Sequence, residues 1–150
     1  EMTLYYKEQG KSLYEALIEL YNRIGFFKED LISIELQGKE GQEKIGNCLD
    51  SLRSTALTEV DGVKIATKLD YKLSKEENLI NNTESIINLP KSNVLKYILE
   101  DGSSFVVRPS GTEPKMKIYS AVKGESLVDA EEKLAKFNEK VMEIINEKLA

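Results

Sequence analysis

The chain of 150 residues contains no histidine and a single cysteine. Without histidine, a Ser-His-Asp or Cys-His catalytic centre and a histidine-ligated metal site are excluded within this chain. The lone cysteine, Cys48, cannot form an internal disulfide, and a zinc site needs several Cys or His ligands. These absences exclude histidine-dependent catalysis, zinc centres and disulfide-stapled folds. Cys48 falls on an apolar helical stripe, which predicts a small buried hydrophobe and not a nucleophile.

Excess positive charge and long apolar runs are also missing. The chain carries 21 basic and 26 acidic residues, for a net charge of −5, whereas a general nucleic-acid binder needs a basic face. No apolar run approaches the roughly 18–20 residues of a membrane span, and the N-terminus has no signal-peptide pattern. We therefore expect a cytoplasmic protein that binds neither nucleic acid nor membranes.

The composition nevertheless suits a folded domain. Hydrophobic residues make up 41% of the chain and charged residues 31%, enough for a core and a solvated surface. This length fits one compact domain, or one domain with a short appendage. The first methionine is residue 2, inside a predicted helix, so we expect the chain to be a piece of a longer protein.

Hydrophobic periodicity predicts four helical segments. Residues 1–7 have the pattern of a helix end, and Ser12 and Glu15 have the spacing of a capping box that starts a second helix ending at Gly25. A third helix carries the apolar positions Ile45, Cys48, Leu49 and Leu52. A fourth begins after Ser126, which has the side chain of an N-cap.

Alternating apolar and polar residues predict strands at residues 32–36, 63–71, 94–99, 104–107 and 115–122. Asp101-Gly102 predicts a hairpin turn. Residues 26–29 are predicted to be a short connection, and residues 74–88, which are polar without a clear period, a long mobile loop. This order favours an α+β fold, with a mostly antiparallel four- to five-stranded sheet, helices on one face and a preceding helical segment.

Residues 108–117 form the one segment whose composition points to chemistry. Arg108 ends a predicted strand, and two prolines stiffen the loop that follows. Gly111 can adopt positive φ, which would let successive backbone amides converge on an anion. Ser110 and Thr112 add hydroxyl donors, and the Arg108 fork matches the oxygens of a phosphate. The same pattern also fits a rigid connection with Arg108 in a salt bridge, and spacing alone leaves both interpretations open.

The segment Arg108-Pro-Ser-Gly-Thr-Glu-Pro-Lys115 resembles the signature of the C-terminal domain of the α-D-phosphohexomutases, the phosphoglucomutase and phosphomannomutase superfamily. Residues 89–97, Asp101-Gly102 and residues 1–14 resemble the branch that contains bacterial phosphoglucomutases and phosphopentomutase-like enzymes. The similarity therefore covers most of the chain.

In that family four domains surround a cleft. A phosphoserine in the first exchanges its phosphoryl group with the sugar, a loop in the second holds Mg²⁺, and a loop in the third reads the sugar hydroxyls. The fourth domain grips the phosphate that is not being transferred. The resemblance implies that residues 1–28 are the last helices of the third domain and that residues 29–150 are the fourth, with a fold like the TATA-box-binding protein.

Carried over by position, the resemblance implies phosphate contacts from Arg108, Ser110, Gly111 and Thr112, and a second cation at Lys117. Glu113 and Lys115 belong to the motif and are expected to shape the loop.

The resemblance further implies a parent enzyme that interconverts glucose 1-phosphate and glucose 6-phosphate through glucose 1,6-bisphosphate. The phosphoserine, metal and sugar loops have no counterpart here, so we expect no catalytic or metal-binding residue in this chain and no activity from it alone. The expected partners are a phosphosugar and the other three domains. A phosphomannomutase, a phosphopentomutase or a noncatalytic protein-interaction module remain the alternatives.

Overall fold

A computed structural model describes every residue of the chain, from 1 to 150, as four helices and eight strands. In chain order these are α1 (Met2–Glu8), α2 (Leu13–Ile24), β1 (Phe26–Glu35), α3 (Gly38–Ser54), β2 (Glu59–Val60), β3 (Val63–Asp70), β4 (Lys75–Asn78), β5 (Thr83–Ile86), β6 (Leu95–Leu99), β7 (Ser104–Pro109), β8 (Lys115–Gly124) and α4 (Leu127–Leu149). No helix is both long enough and apolar enough to span a membrane.

The strands form one antiparallel sheet in the order β1-β8-β7-β6-β3-β4-β5, and β2 pairs with β3 beside this path. Both α3 and α4 pack on the same face, where their side chains share one apolar cluster with β6, β7 and β8. We call the opposite face, which neither helix covers, the open face. The predicted α+β fold with helices on one face is confirmed, but the sheet has eight strands where four or five were expected.

The core is built from the inward side chains of the central strands. Along β8 every second residue from Met116 onward is buried, and the residues between them are more exposed. Phe105 on β7 stacks on Tyr97 with ring centroids 4.7 Å apart and meets Phe137 of α4 edge-on at 6.2 Å. Full burial of each such side chain stabilises the fold by about 1.5–3 kcal/mol.

Polar side chains of the sheet satisfy the last carbonyls of α3. The Tyr97 hydroxyl donates to Leu52 O at 3.0 Å, and Lys68 Nζ donates to Arg53 O at 2.7 Å. Burial lowers the pKa of Lys68 from its usual range. Arg53 Nε in turn donates to Asp70 Oδ2 at 3.1 Å. These contacts tie the C-terminal end of α3 to β3 and β6, because buried helix ends need hydrogen-bond partners.

The prediction of a short connection at residues 26–29 is wrong, because β1 already begins at Phe26 and pairs with β8 along its whole length. Two polar residues, Lys28 and Asp30, interrupt the alternation of apolar and polar residues in the sequence of β1. Lys28 Nζ lies 2.8 Å from Glu131 Oε1 of α4, and Asp30 Oδ2 accepts from Asn138 Nδ2 at 2.8 Å. The strand therefore faces α4 with polar contacts here, and it runs unbroken through residue 28, where the domain boundary was predicted.

The prediction of a mobile loop at residues 74–88 is also wrong. Its residues form the β4–β5 hairpin, in which Lys75 Nζ lies 2.7 Å from Glu84 Oε1 and 2.8 Å from Glu77 Oε1. None of the residues of β4 or β5 is buried. Without a buried face the hairpin has no apolar period, so its pairing rests on backbone hydrogen bonds and cross-strand charges.

The capping box of α2 is present as predicted. Ser12 Oγ accepts from Glu15 N at 3.2 Å, and Ser12 N donates to Glu15 Oε2 at 2.8 Å. The apolar stripe of α2 is only partly covered, with Leu13, Leu17, Leu20 and Ile24 all exposed. Its last turn reaches the sheet through Tyr21, whose ring centroid lies 5.4 Å from that of Phe26.

We expect Arg53→Met to lower the free energy of unfolding by about 3 kcal/mol, because it leaves the Asp70 carboxylate buried without its cation. Only 10% of the Arg53 side chain and 3% of Asp70 are exposed. Urea unfolding followed by circular dichroism measures the effect. The control is Arg23→Met on the exposed surface of α2, which should change stability by less than about 0.5 kcal/mol. Equal effects of the two variants would contradict this account.

Cys48 is fully buried, and burial raises the pKa of its thiol to about 11. Since the thiolate is the reactive form, we expect Cys48 to resist iodoacetamide at pH 8 in the folded protein and to react once urea unfolds it. The raised pKa also means that stability is lost as pH rises from about 9 towards 11, because only the unfolded state ionises there. Rapid alkylation of folded protein at pH 8 would contradict the burial.

Candidate functional site

Two cations lie side by side on the open face. Arg108 of β7 and Lys117 of β8 are direct cross-strand partners, and both side chains are exposed. Neither Arg108 nor Lys117 forms a hydrogen bond or a salt bridge with any other side chain. Like charges placed directly opposite each other destabilise a sheet. The pair therefore adds no interaction that stabilises the fold.

The hairpin loop beside these cations is held by its own hydrogen bonds. Ser110 N donates to Lys115 O at 2.7 Å and closes the hairpin. Ser110 Oγ accepts from Thr112 N at 3.4 Å and Glu113 N at 3.3 Å, in the manner of a serine turn. Pro114 O accepts from Leu36 N at 2.9 Å, which anchors the loop to the end of β1. Two consecutive amides of the loop therefore point at one position.

The predicted positive φ at Gly111 is wrong. Five other glycines adopt positive φ, and Gly111 is not among them. The Ser110 hydroxyl, and not a left-handed glycine, brings the loop amides together. A Cβ added at Gly111 would meet nothing within 4 Å, and the Gly111 amide has no acceptor within the chain. The glycine thus leaves its own amide open to a ligand.

The acidic side chain of the loop is neutralised locally. Lys115 Nζ lies 3.3 Å from Glu113 Oε2 and 3.5 Å from Glu35 Oε1. The hydrogen bond to Glu113, followed by the charges of Glu113 and Glu35, raises the pKa of Lys115. The Glu113 carboxylate is therefore paired, whereas Arg108 and Lys117 have no counterion.

The structure brings all five predicted residues into one hairpin. Arg108 and Lys117 lie at the strand ends, and Ser110, Gly111 and Thr112 lie in the loop between them. Sequence reasoning missed one further cation, Lys96 of β6, which lies opposite Val106 and has no acidic partner. The hairpin turn at Asp101-Gly102, with the register it sets, was the signal that could have placed Lys96 on the strand next to Arg108.

No group of three or more His, Cys, Asp or Glu side chains in the chain lies close enough together to hold a metal ion. The residues present therefore offer no ligand set for the Mg²⁺ that the family resemblance implies in another domain.

The fold is an α+β domain, and its β7–β8 hairpin exposes two unpaired cations beside an open backbone amide. Residues 57–144 match the C-terminal domain of phosphoglucomutase/phosphomannomutase, and the chain belongs to that family.

Two curated relatives are both named phosphoglucomutase. The chain is 37% identical over 134 residues to the protein of Staphylococcus aureus, a match that covers 89% of this chain and 23% of that protein. It is 36% identical over 113 residues to the protein of Staphylococcus haemolyticus, covering 75% of this chain and 20% of that protein. The chain thus spans about a quarter of the length of the relatives that it matches.

Among solved structures, the chain is similar in fold to the open form of pp63/parafusin, a phosphoglucomutase from Paramecium. The TM-score is 0.57 at 15% sequence identity, and the match covers 94% of this chain and 24% of that one. At this identity the likeness concerns the fold. The match extends over nearly the whole chain and is not confined to the hairpin that carries the loop.

We expect Lys117→Met to leave the free energy of unfolding unchanged or to raise it by about 0.2–1 kcal/mol at low salt, because it removes the repulsion of Arg108. The gain should shrink in high salt, which screens exposed charges. The control is Lys123→Met on the same strand and face, which removes a cation–π contact with Phe27 at 5.6 Å and should cost a little stability. Urea unfolding in about 20 mM and about 500 mM salt measures the stability of the two variants. A clear loss of stability in Lys117→Met would give this lysine a structural role.

Proposed function

We propose that the chain is the phosphate-gripping C-terminal domain of a phosphohexose mutase that interconverts glucose 1-phosphate and glucose 6-phosphate through glucose 1,6-bisphosphate. The observation that carries the proposal is the unpaired Arg108–Lys117 couple beside a loop whose Gly111 amide has no acceptor within the chain. The names of the Staphylococcus relatives favour glucose phosphates as the substrate.

We call the five residues that would contact the phosphate the grip: Arg108, Ser110, Gly111, Thr112 and Lys117. Each has a distinct role in this proposal. The Arg108 guanidinium binds two phosphate oxygens at once, which an ammonium group cannot do. Lys117 adds a point charge. The Gly111 amide and the hydroxyls of Ser110 and Thr112 donate to the remaining oxygens, and hydrogen bonds to a charged group contribute about 1.5–3 kcal/mol each. A grip of this kind recognises the phosphate and not the sugar, so it accepts either end of a bisphosphate.

In the parent enzyme, the grip acts by positioning. Holding the phosphate that is not transferred fixes the sugar relative to a phosphoserine in another domain, and such orientation lowers the barrier without any group of this chain touching the reacting atoms. Closure of the domain over the bound sugar excludes water from the cleft. We place the phosphoserine, the Mg²⁺ loop and the sugar-reading loop in the remaining domains of a cytoplasmic parent, so the chain alone is inactive.

The sequence predicts that residues 1–28 belong to the third domain and that residues 29–150 form the fourth. The partly exposed stripe of α2 supports this division, because an amphipathic helix ordinarily buries that stripe against a partner. Because β1 is continuous through residue 28, we propose that the boundary lies at Gly25, which adopts positive φ directly before the strand.

Two alternative functions are compatible with the structure of the loop. A phosphomannomutase or a phosphopentomutase would use the same grip, since the grip does not contact the groups that distinguish these sugars. A noncatalytic module that docks a protein through α2 is favoured only by the exposed leucines of that helix. Binding of a protein partner that is unaffected by Arg108→Ala would support the interaction module.

The test is an amide-resolved NMR titration of the chain with glucose 1,6-bisphosphate, with sulfate as a second ligand. We expect shifts confined to residues 108–117 and a dissociation constant of about 1 mM, since one domain bears the full entropic cost of association. Arg108→Ala should weaken binding at least tenfold, because it removes charge-assisted hydrogen bonds. Arg108→Lys should fail to restore it.

The matched control is Arg23→Ala, which removes an exposed arginine from α2 and should leave the titration unchanged. Shifts that are absent from the loop at high ligand concentration, or that persist in Arg108→Ala, would overturn the proposal. Near-normal binding by Arg108→Lys would reject the bidentate contact while leaving a simple charge contact in its place.

A further inference from the structure

The open face is organised in rows that cross the strands. The strand register aligns Ser33, Lys117 and Arg108 in one row, which we call the grip row. It aligns Leu31, Tyr119, Val106 and Lys96 in the next row, which we call the platform row. Residues two apart on a strand are separated by about 7 Å. The platform row therefore lies one short step from the phosphate grip.

A shallow cavity lies over the platform row. It encloses about 510 Å³ and is lined by Leu31, Lys96, Val106 and Tyr119, with Glu29 and Ser104 of the neighbouring row. Tyr119 is 38% exposed and Leu31 is 47% exposed. A half-exposed aromatic ring beside aliphatic side chains costs free energy in water, and nothing in the fold covers it.

Lys96 is the polar end of this row. It forms no hydrogen bond or salt bridge with any side chain of the domain, and its strand neighbours on the open face, Val106 and Leu69, are apolar. Its diagonal partner on β7 is Arg108, and diagonal neighbours on a sheet lie about 7–8 Å apart, within reach of long side chains. One ligand can thus touch Arg108 and Lys96 at the same time.

We propose that the platform row receives the carbohydrate part of the ligand whose phosphate is held by the grip row. Tyr119, Val106 and Leu31 present an apolar surface to the C–H face of a pyranose ring. Lys96 and Ser104 donate hydrogen bonds to its hydroxyls, and Glu29 accepts them. This inference rests on the proposed function for the phosphate. It adds a sugar contact from this domain that accounts for the cavity and for the unpaired Lys96.

The mixture of apolar and charged side chains around the cavity favours a sugar ring as its ligand. A second phosphate would need several converging donors, whereas the row offers one lysine beside two aliphatic side chains and the tyrosine ring, with Glu29 at its edge. A purely apolar partner would leave Lys96 and Glu29 desolvated without compensation. A hexose ring satisfies both kinds of group, and the step of about 7 Å between the rows lies within the length of a hexose phosphate.

The experiment compares inorganic phosphate with glucose 6-phosphate at pH 8, where both are mainly dianions, because the second pKa is about 6 for a phosphate ester and about 7 for inorganic phosphate. Amide shifts and dissociation constants are measured by NMR on the 150-residue chain. We expect glucose 6-phosphate to bind about fivefold more tightly than phosphate and to add shifts at Lys96 and Tyr119, a gain of roughly 1 kcal/mol.

Tyr119→Ala and Lys96→Met should each remove most of that fivefold gain and leave the affinity for inorganic phosphate within about twofold of the wild type. Tyr119→Phe, which keeps the ring, should retain the gain and so separates contact from folding. Lys123→Met, on the same face but outside the platform row, is the matched control.

The proposed sugar contact would be overturned if Tyr119→Ala and Lys96→Met weakened the binding of both ligands equally. It would also be overturned if the amide shifts caused by glucose 6-phosphate were confined to residues 108–117. A failure of inorganic phosphate to shift residues 108–117 would instead reject the proposed grip. The two proposals therefore fail on different ligands and at different residues.

Discussion

The pairing of β7 with β8 fixes which of their side chains reach the core and which reach the open face. Phe105 and Val107 face the helices together with Met116 and Ile118. A slip of one residue would expose this apolar set and bury the lysine between Met116 and Ile118, since side chains alternate along a strand. The cost of that exchange holds Arg108 beside Lys117 against their mutual repulsion. Core packing thus sustains an arrangement that is unfavourable at the surface.

The hairpin loop that carries the proposed grip could be located from the sequence because its information is local. Arg108, the two prolines and the Ser-Gly-Thr segment are contiguous, and the turn at Asp101-Gly102 sets the strand that leads to them. The conformation of Gly111 could not be predicted, because a serine hydroxyl and a left-handed glycine are alternative ways to gather amides, and the sequence contains both. Only the structure shows that Ser110 is the residue used.

The missed strands have one physical cause. In β1, Lys28 and Asp30 meet Glu131 and Asn138 of α4, so polar residues occupy positions where periodicity expects apolar ones. The β4–β5 hairpin has no buried face at all. Hydrophobic alternation indicates that one face of a strand is buried, not that the strand is paired. A strand stabilised by backbone hydrogen bonds and by charges is therefore not predicted from it. The platform row was missed for a related reason, because it is a property of four strands and not of any one segment.

The Ser110 hydroxyl has a further consequence for ionisation. A hydroxyl oxygen has two lone pairs, and the amides of Thr112 and Glu113 already occupy this one as donors. In the proposed complex, a phosphate ester would therefore meet Arg108, Lys117 and a loop that offers it almost entirely hydrogen-bond donors. Such surroundings favour the dianion over the singly protonated ester and depress the second pKa of the bound group. The hairpin would thus select the protonation state of its ligand as well as its shape, releasing a proton when a monoanion binds.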